Sequence, residues 1–212
     1  MSRTDLTTIP DARCESTDTT SGALELNESV THIAYAPAVS TLSIAVESPR
    51  EPGIDRLLDG STRYSQSVGY PPDACVLLDV DQLEQPGVLL YVARDETGRA
   101  LGIAAIVDGT GDTTGRGELK RMFVDDEARE LGVAGGLIER IETDAAARGI
   151  REIVLETGSL HLPAQALYAK HGYRRIEPFP PYVGEQSSVC MAKSLLTFGV
   201  DSLAEEPMAV AD

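Results

Sequence analysis

The chain has 212 residues, enough for one sizeable domain and a tail, with 42% apolar residues, 5% aromatic residues and no Trp. Lys and Arg number 18 against 34 Asp and Glu, a formal charge of −16, and a surface this acidic repels phosphate backbones, which argues against nucleic acid as a partner. No stretch approaches the ~18 uninterrupted apolar residues of a membrane span, Met1–Pro10 lacks the apolar segment of a secretory signal, and the three cysteines, Cys14, Cys75 and Cys190, have no metal-ligand spacing. These features predict a cytoplasmic protein with no metal and no membrane partner.

Residues 1–40 are rich in Thr, Ser, Asp and Glu without a sustained apolar period, and read as a polar, disordered extension. Thr41–Val46 alternates as a first strand, and Pro49 and Pro52 end it. Ile54, Leu57 and Leu58 mark one face of a short helix. Ser61–Asp73 is polar, closes on Tyr70-Pro71-Pro72, and reads as a connection rather than regular helix. Val88–Arg94 and Ala100–Val107 are strands joined by the turn Asp95–Arg99, a hairpin. A Gly/Thr/Asp loop from Asp108 to Gly117 leads to a strand over Glu118–Val124. A helix from about Arg129 to Arg148 follows, with Ala134, Leu137, Ile138, Ile141 and Ala145 in helical period and Gly149 at its end. Ile150–Glu156 is a β-branched strand. Pro163 opens a shorter helix that Gly172 ends, and Tyr173–Ile176 and Ser188–Lys193 are the last strands. The order predicts an α/β domain over 41–196 with a mixed sheet, followed by an acidic tail over 197–212.

The chemistry concentrates where the strand ending at Val124 meets the helix that begins within Arg129-Glu130-Leu131-Gly132-Val133-Ala134. The first turn of a helix presents unpaired N–H groups and the positive end of its dipole, which together hold an anion. Gly132 and Ala134 carry almost no side chain, so a diphosphate can approach the backbone, and Arg129 adds a positive charge at the rim. Other patterns carry less. The glycines of Gly109–Gly115 mimic a dinucleotide loop, but a strand follows them instead of a helix. Asp108 and Asp112 are too few ligands for calcium. Cys190 sits in an apolar strand and reads as a packed thiol.

Arg129-x-x-Gly132-x-Ala134 after a strand ending in Val124 resembles the acetyl-CoA motif of the GNAT superfamily of N-acetyltransferases. Ala166-Leu167-Tyr168-Ala169-Lys170-His171-Gly172-Tyr173 is similar to a second motif of that family, in the expected order. The stretches Leu155–Gly158 and Pro181–Met191 look like a small prokaryotic branch of it. The resemblance implies a mostly antiparallel sheet flanked by helices, with acetyl-CoA as the acyl donor and no metal. It implies a cofactor site at Met122, Phe123 and Val124, whose backbone pairs with pantetheine and polarises the thioester, and at Arg129, Glu130, Leu131, Gly132, Val133, Ala134 and Gly135. His161 stands where the family usually has Asn or Gln at the start of the second helix. Tyr168 matches the family's acid for the departing thiol, and Glu118 its base.

The residues keep blander roles open. Tyr168 can be a half-buried core aromatic, Glu118 a solvated strand-end carboxylate and His161 a helix-start surface residue. The expected activity is direct transfer to a primary amine of a small molecule or peptide. A catalytically silent acyl-CoA-binding module is the alternative. The acceptor is not specified by the motifs, and a homodimer is compatible with them. The acidic residues are dispersed, as in a protein adapted to a salt-rich interior. Self-repulsion at low ionic strength is then relieved by screening within about 10 Å at 0.1 M salt. The melting temperature is expected to rise from low to molar KCl, and a flat or falling curve would count against this reading of the charge.

Overall fold

The computed structural model describes residues 42–67, 69, 77–109 and 115–196. The expected N-terminal extension over 1–40, the acidic tail over 197–212 and the connection at Tyr70–Pro72 lie outside these residues. The elements run β1 (Ser43–Val46), α1 (Ile54–Ser67), α2 (Val80–Leu83), β2 (Val88–Arg94), β3 (Ala100–Asp108), β4 (Arg116–Val124), α3 (Val133–Ala147), β5 (Glu152–Gly158), α4 (Leu162–Lys170), β6 (Arg174–Arg175) and β7 (Ser188–Ser194). The strands form one sheet in the order β1-β2-β3-β4-β5-β7-β6, antiparallel throughout except where β4 lies parallel to β5. This is the mixed sheet that the element order predicts, mostly antiparallel and flanked by helices as the resemblance implies.

The two-residue period of the strands divides the core between the sheet's faces. Leu90, Val92, Ile103 and Ala105 pack with Ile54, Leu57 and Leu58 of α1. Tyr91, Ala104, Ile106, Leu119, Ile153 and Leu155 pack with Leu137, Ile138 and Ile141 of α3 and with Tyr168 of α4. Each fully buried aliphatic side chain contributes about 1.5–3 kcal/mol relative to exposure, so both helix layers are anchored to the central strands. Phe179 and Tyr182, between β6 and β7, cover Val154 on the α1 side.

Two expectations are corrected. Helix α1 runs to Ser67 through residues read as a connection: Ser61 is buried, and Thr62 and Ser67 donate their hydroxyls to the carbonyls of Leu58 and Tyr64 at 3.0 and 2.7 Å. Satisfied within the helix, these polar side chains do not compete with its backbone bonds. Helix α3 starts at Val133 and not at Arg129, because Asp126–Ala128 forms a 3-10 turn and Glu130 takes a φ of +65°. The capping box Asp79–Gln82, which starts the unexpected one-turn α2, has bonds of 2.8 and 2.9 Å.

Strand β4 carries a bulge. Ile103 pairs with Phe123 and Ala105 with Lys120, so Arg121 and Met122 oppose Ala104 alone. Arg121 has a φ of +55° there, a left-handed conformation uncommon outside glycine. Two residues earlier in register, Gly102 keeps α3 close to the sheet. A Cβ on Gly102 would lie 2.9 Å from Val133 Cγ1, 3.1 Å from the Phe123 carbonyl oxygen and 3.2 Å from Val124 Cγ2. A backbone carbonyl in a paired strand cannot yield, so Gly102→Ala is expected to cost about 1–3 kcal/mol, read as a lower denaturant midpoint at unchanged m-value.

Candidate active site

Strands β4 and β5 pair only from Arg116↔Glu152 to Leu119↔Leu155. Beyond Leu119 they separate, helped by the bulge at Arg121, which increases local twist. A cleft of about 140 Å³ opens in the gap. Lys120, Arg121 and Met122 form one wall and Glu156, Thr157 and Gly158 the other. Ser61 and Tyr64 of α1 close one side, and His161, Ala164 and Tyr168 close the α4 side. The gap therefore runs through the sheet, joining its two faces.

At one end of β4 the chain makes a cradle for an anion. Glu130 and Gly132 take φ of +65° and +81°, and Gly132 is the N-cap of α3 without a side-chain hydrogen bond. The first intrahelical bond runs from the Gly136 N–H to the Gly132 carbonyl at 2.9 Å, so the N–H groups of Val133, Ala134 and Gly135 lie ahead of it. The first turn carries no acidic residue. Such a turn into a helix of 15 residues gathers N–H donors and the positive end of the dipole. A Cβ on Gly132 would meet nothing within 4 Å, which leaves the space a diphosphate needs. Val133 is buried, and Leu131 is 61% exposed beside the cradle. The exposed Arg129 pairs with Asp126 at 2.5 Å and lies 5.5 Å from the ring centre of Tyr64.

Met122 lines the cleft, whereas the side chain of Phe123 packs toward α1 and that of Val124 toward α3. Past Leu119 the β4 edge toward β5 is unpaired, so this stretch offers main-chain groups to the gap. His161 is the N-cap of α4. Its ring stacks on Tyr64 with centroids 5.3 Å apart, and burial lowers its pKa. Tyr64 thus joins the cradle's Arg129 to His161 across the cleft. Its helix was read from sequence as a loop, so Tyr64 escaped notice.

Tyr168 is 6% exposed, packs edge-on to Tyr173 at 5.7 Å and lines the cleft. Burial, with the Glu156 charge second, pushes its phenol well above the ordinary range, so it keeps its proton. Glu118 is not a solvated strand end: Arg116 opens the strand, and Glu118 is 5% exposed. Its Oε1 accepts from Tyr182 OH at 2.7 Å and from Lys120 Nζ at 3.0 Å, while Lys120 Nζ also donates to Tyr182 OH at 2.6 Å. The carboxylate that faces the cleft is Glu156. It accepts from Ser188 Oγ at 2.8 Å, and burial raises its pKa against the lowering effects of Ser188 and Lys120. Sequence reading noted Glu156 only inside Leu155–Gly158, because its spacing from Glu118 gives no sign that β4 and β5 are neighbours. Burial also raises the Cys190 thiol, consistent with a packed side chain.

A family model described as the acetyltransferase (GNAT) family matches residues 54–173, which spans the cleft and the cradle. The chain belongs to the GNAT acetyltransferase family. It is 38% identical over 155 residues to an IAA acetyltransferase of Azospirillum brasilense, covering 73% of this chain and 98% of that protein. An uncharacterized N-acetyltransferase of Bacillus subtilis is 31% identical over 134 residues, covering 62% of this chain and 86% of the relative. A solved structure from Klebsiella pneumoniae is 28% identical with a TM-score of 0.63, covering 74% of this chain and 99% of the other. An aminoglycoside 6'-N-acetyltransferase complexed with coenzyme A shares the fold at a TM-score of 0.56 and 19% identity, over 73% of this chain and 98% of that one. GNAT proteins use acetyl-CoA, and the chain is an acetyl-CoA-dependent N-acetyltransferase.

The uncapped first turn of α3 and the open space at Gly132 fit the diphosphate of that donor. Gly132→Glu is expected to abolish acetyl-CoA binding by calorimetry, since it adds bulk and negative charge at a position of φ +81°. Unchanged affinity in a folded variant would remove the cradle from the binding site.

Proposed function

We propose that the chain moves the acetyl group directly from acetyl-CoA to a primary amine of a small molecule or peptide, with Glu156 as base and Tyr168 as acid. The observation that carries this reading is the cleft between β4 and β5, where a carboxylate of raised pKa and a protonated phenol border Met122. In this reading the Gly132–Gly135 main chain holds the diphosphate, with Arg129, Glu130 and Leu131 forming its rim. The backbone of Met122, Phe123 and Val124 pairs with the pantetheine arm, and His161 borders that arm on the α4 side. Acetyl-CoA supplies the thioester, whose C–S bond breaks as the C–N bond forms.

Glu156 takes a proton from the amine, which must be neutral to attack. Tyr168 donates its hydroxyl proton to the leaving sulfur. Glu118 acts behind Glu156: its charge contributes to the raised pKa, and its bonds to Lys120 and Tyr182 hold Lys120 in place. The protein's net charge of −16 favours approach of a cationic amine. A cytoplasmic setting, where acetyl-CoA is available and thiols stay reduced, accords with this reading.

The test is release of free CoA across an amine panel by wild type, Glu156→Gln, Glu118→Gln and Tyr168→Phe. A wild-type protein that binds acetyl-CoA but releases no CoA with any amine of the panel would favour the silent binding module. Glu156→Gln is expected to lower kcat by about 10²–10⁴-fold and to remove the acidic limb of the pH profile, with acetyl-CoA affinity retained. That limb should lie above the ordinary carboxylate range. If Glu118→Gln is the variant that loses it, the base is Glu118. Tyr168→Phe is expected at the low end of the same range, because water can partly replace the acid. Wild-type turnover in that variant would make Tyr168 a core residue only.

Stability should follow the same sign. A folded-state pKa raised by burial stabilises below the unfolded value, and that contribution is lost as pH rises through the raised value. Glu156→Gln should therefore flatten the decline in stability over that window.

A further inference from the structure

Arg121 is 8% exposed, yet among the described residues it forms no ion pair. Its Nη1 lies 3.4 Å from Thr62 Oγ1 and its Nη2 3.4 Å from the Leu58 carbonyl oxygen, while Nε has no partner. Both contacts exceed the ordinary 2.7–3.2 Å range of such bonds. Burial lowers the pKa of this guanidinium, and the opposing charges of Asp59 and Asp79, across a second hollow of about 340 Å³, compensate only in part. A buried charge without a partner is destabilising. Arg121 is also held in the left-handed region by the β4 bulge, and such strain collects at functional positions.

The bulge brings Lys120 and Arg121 to the same face of the sheet. Lys120 reaches Tyr182 and Arg121 reaches α1, both opposite α3. Lys120 is committed to Glu118. Arg121, also on the wall of the cleft and adjacent to Met122, makes only the two long contacts from its Nη atoms and none from Nε. We propose that Arg121 binds a carboxylate of the acceptor, so that the amine acetylated here belongs to an amino acid and not to a simple alkylamine. This deepens the transferase reading and rests on it. A guanidinium presents a planar fork that matches a carboxylate bidentately. A single negative charge balances Arg121, which among the described residues lining the cleft is a cation without an ion pair, whereas a phosphate would leave surplus charge beside Glu156 and Glu118.

The test loads the protein with CoA and measures the binding of proteinogenic L-amino acids, each paired with its amide, by thermal shift and calorimetry. One or more amino acids should bind about 10–100-fold more tightly than the corresponding amide. Arg121→Met should erase that difference while keeping acetyl-CoA affinity and a melting temperature no lower than wild type, since it removes an unpaired buried charge. Arg121→Gln, which removes the charge but keeps a polar side chain, is read the same way if the Met variant does not fold. Equal binding of acid and amide, no amino-acid binding, or a preference that survives substitution of Arg121 would overturn the proposal, as would tighter binding of phosphorylated amines. CoA release from the same panel separates the two readings. Amino acids that bind through Arg121 without CoA release would leave the carboxylate site standing and remove the transferase mechanism. Simple amines acetylated without an acid preference would do the reverse.

Discussion

A parallel pair of strands hydrogen-bonded over only four register positions is the feature on which the rest of this molecule depends. Every other neighbouring pair in the sheet is antiparallel. β4 passes from a stretch paired on both sides, ending at Leu119, to one bonded on the β3 side only, and β5 beyond Leu155 is bonded on the β7 side only. Unpaired main-chain groups in a sheet are costly when buried without a partner, and here they border an open cleft; in the proposed reading the pantetheine arm pairs with this edge. The bulge on the β3 side reinforces the divergence, since the extra residue twists β4 away from β5. One irregularity thereby shapes the cleft, aims Arg121 into its wall and leaves Met122 at its edge.

The groups around that cleft interact strongly because so little water separates them. Glu118, Lys120 and Tyr182 are joined by three bonds of 2.6–3.0 Å, the range of charge-assisted contacts. Glu118 is engaged by both partners of the triad, and in the proposed mechanism Glu156, on the cleft wall, is the carboxylate that takes the proton. Burial raises both members of the proposed acid–base pair, with different consequences: Glu156 moves toward the range where a base is useful, and Tyr168 moves further from ionisation. In that reading one cause, burial in a shared cleft, suits each residue to its role.

The strands were legible because their apolar residues alternate and their turns are marked. β2 matches its expected bounds, and the ends of β3, β4, β5 and β7 differ by one or two residues, as fraying elements do. The strand-to-helix junction was legible too, because Gly132 stands between the end of an alternating strand and the start of a periodic helix. What escaped was tertiary. Ser61–Ser67 looks like a loop until one sees Thr62 and Ser67 bonded to their own helix. Glu156 is an ordinary strand residue until β5 is placed beside β4. The departure of Arg121 from extended backbone has no sequence mark at all, since nothing in Lys120-Arg121-Met122 signals a bulge.

The charge of the protein and the charge of its donor appear to conflict: a chain of net charge −16 must hold a polyanion. In the proposed reading the cradle resolves this without lysine. Its donors are main-chain N–H groups fixed by Glu130 and Gly132, and the nearby Arg129 is already paired with Asp126. Interactions of this kind act over hydrogen-bond distances and through the end of a helix dipole, so they survive a repulsive surface that long-range attraction could not overcome. Screening at high salt removes the repulsion while leaving the short bonds in place. An acidic surface and a main-chain anion site are therefore compatible, and in the proposed reading the same surface that hinders the donor favours a cationic amine.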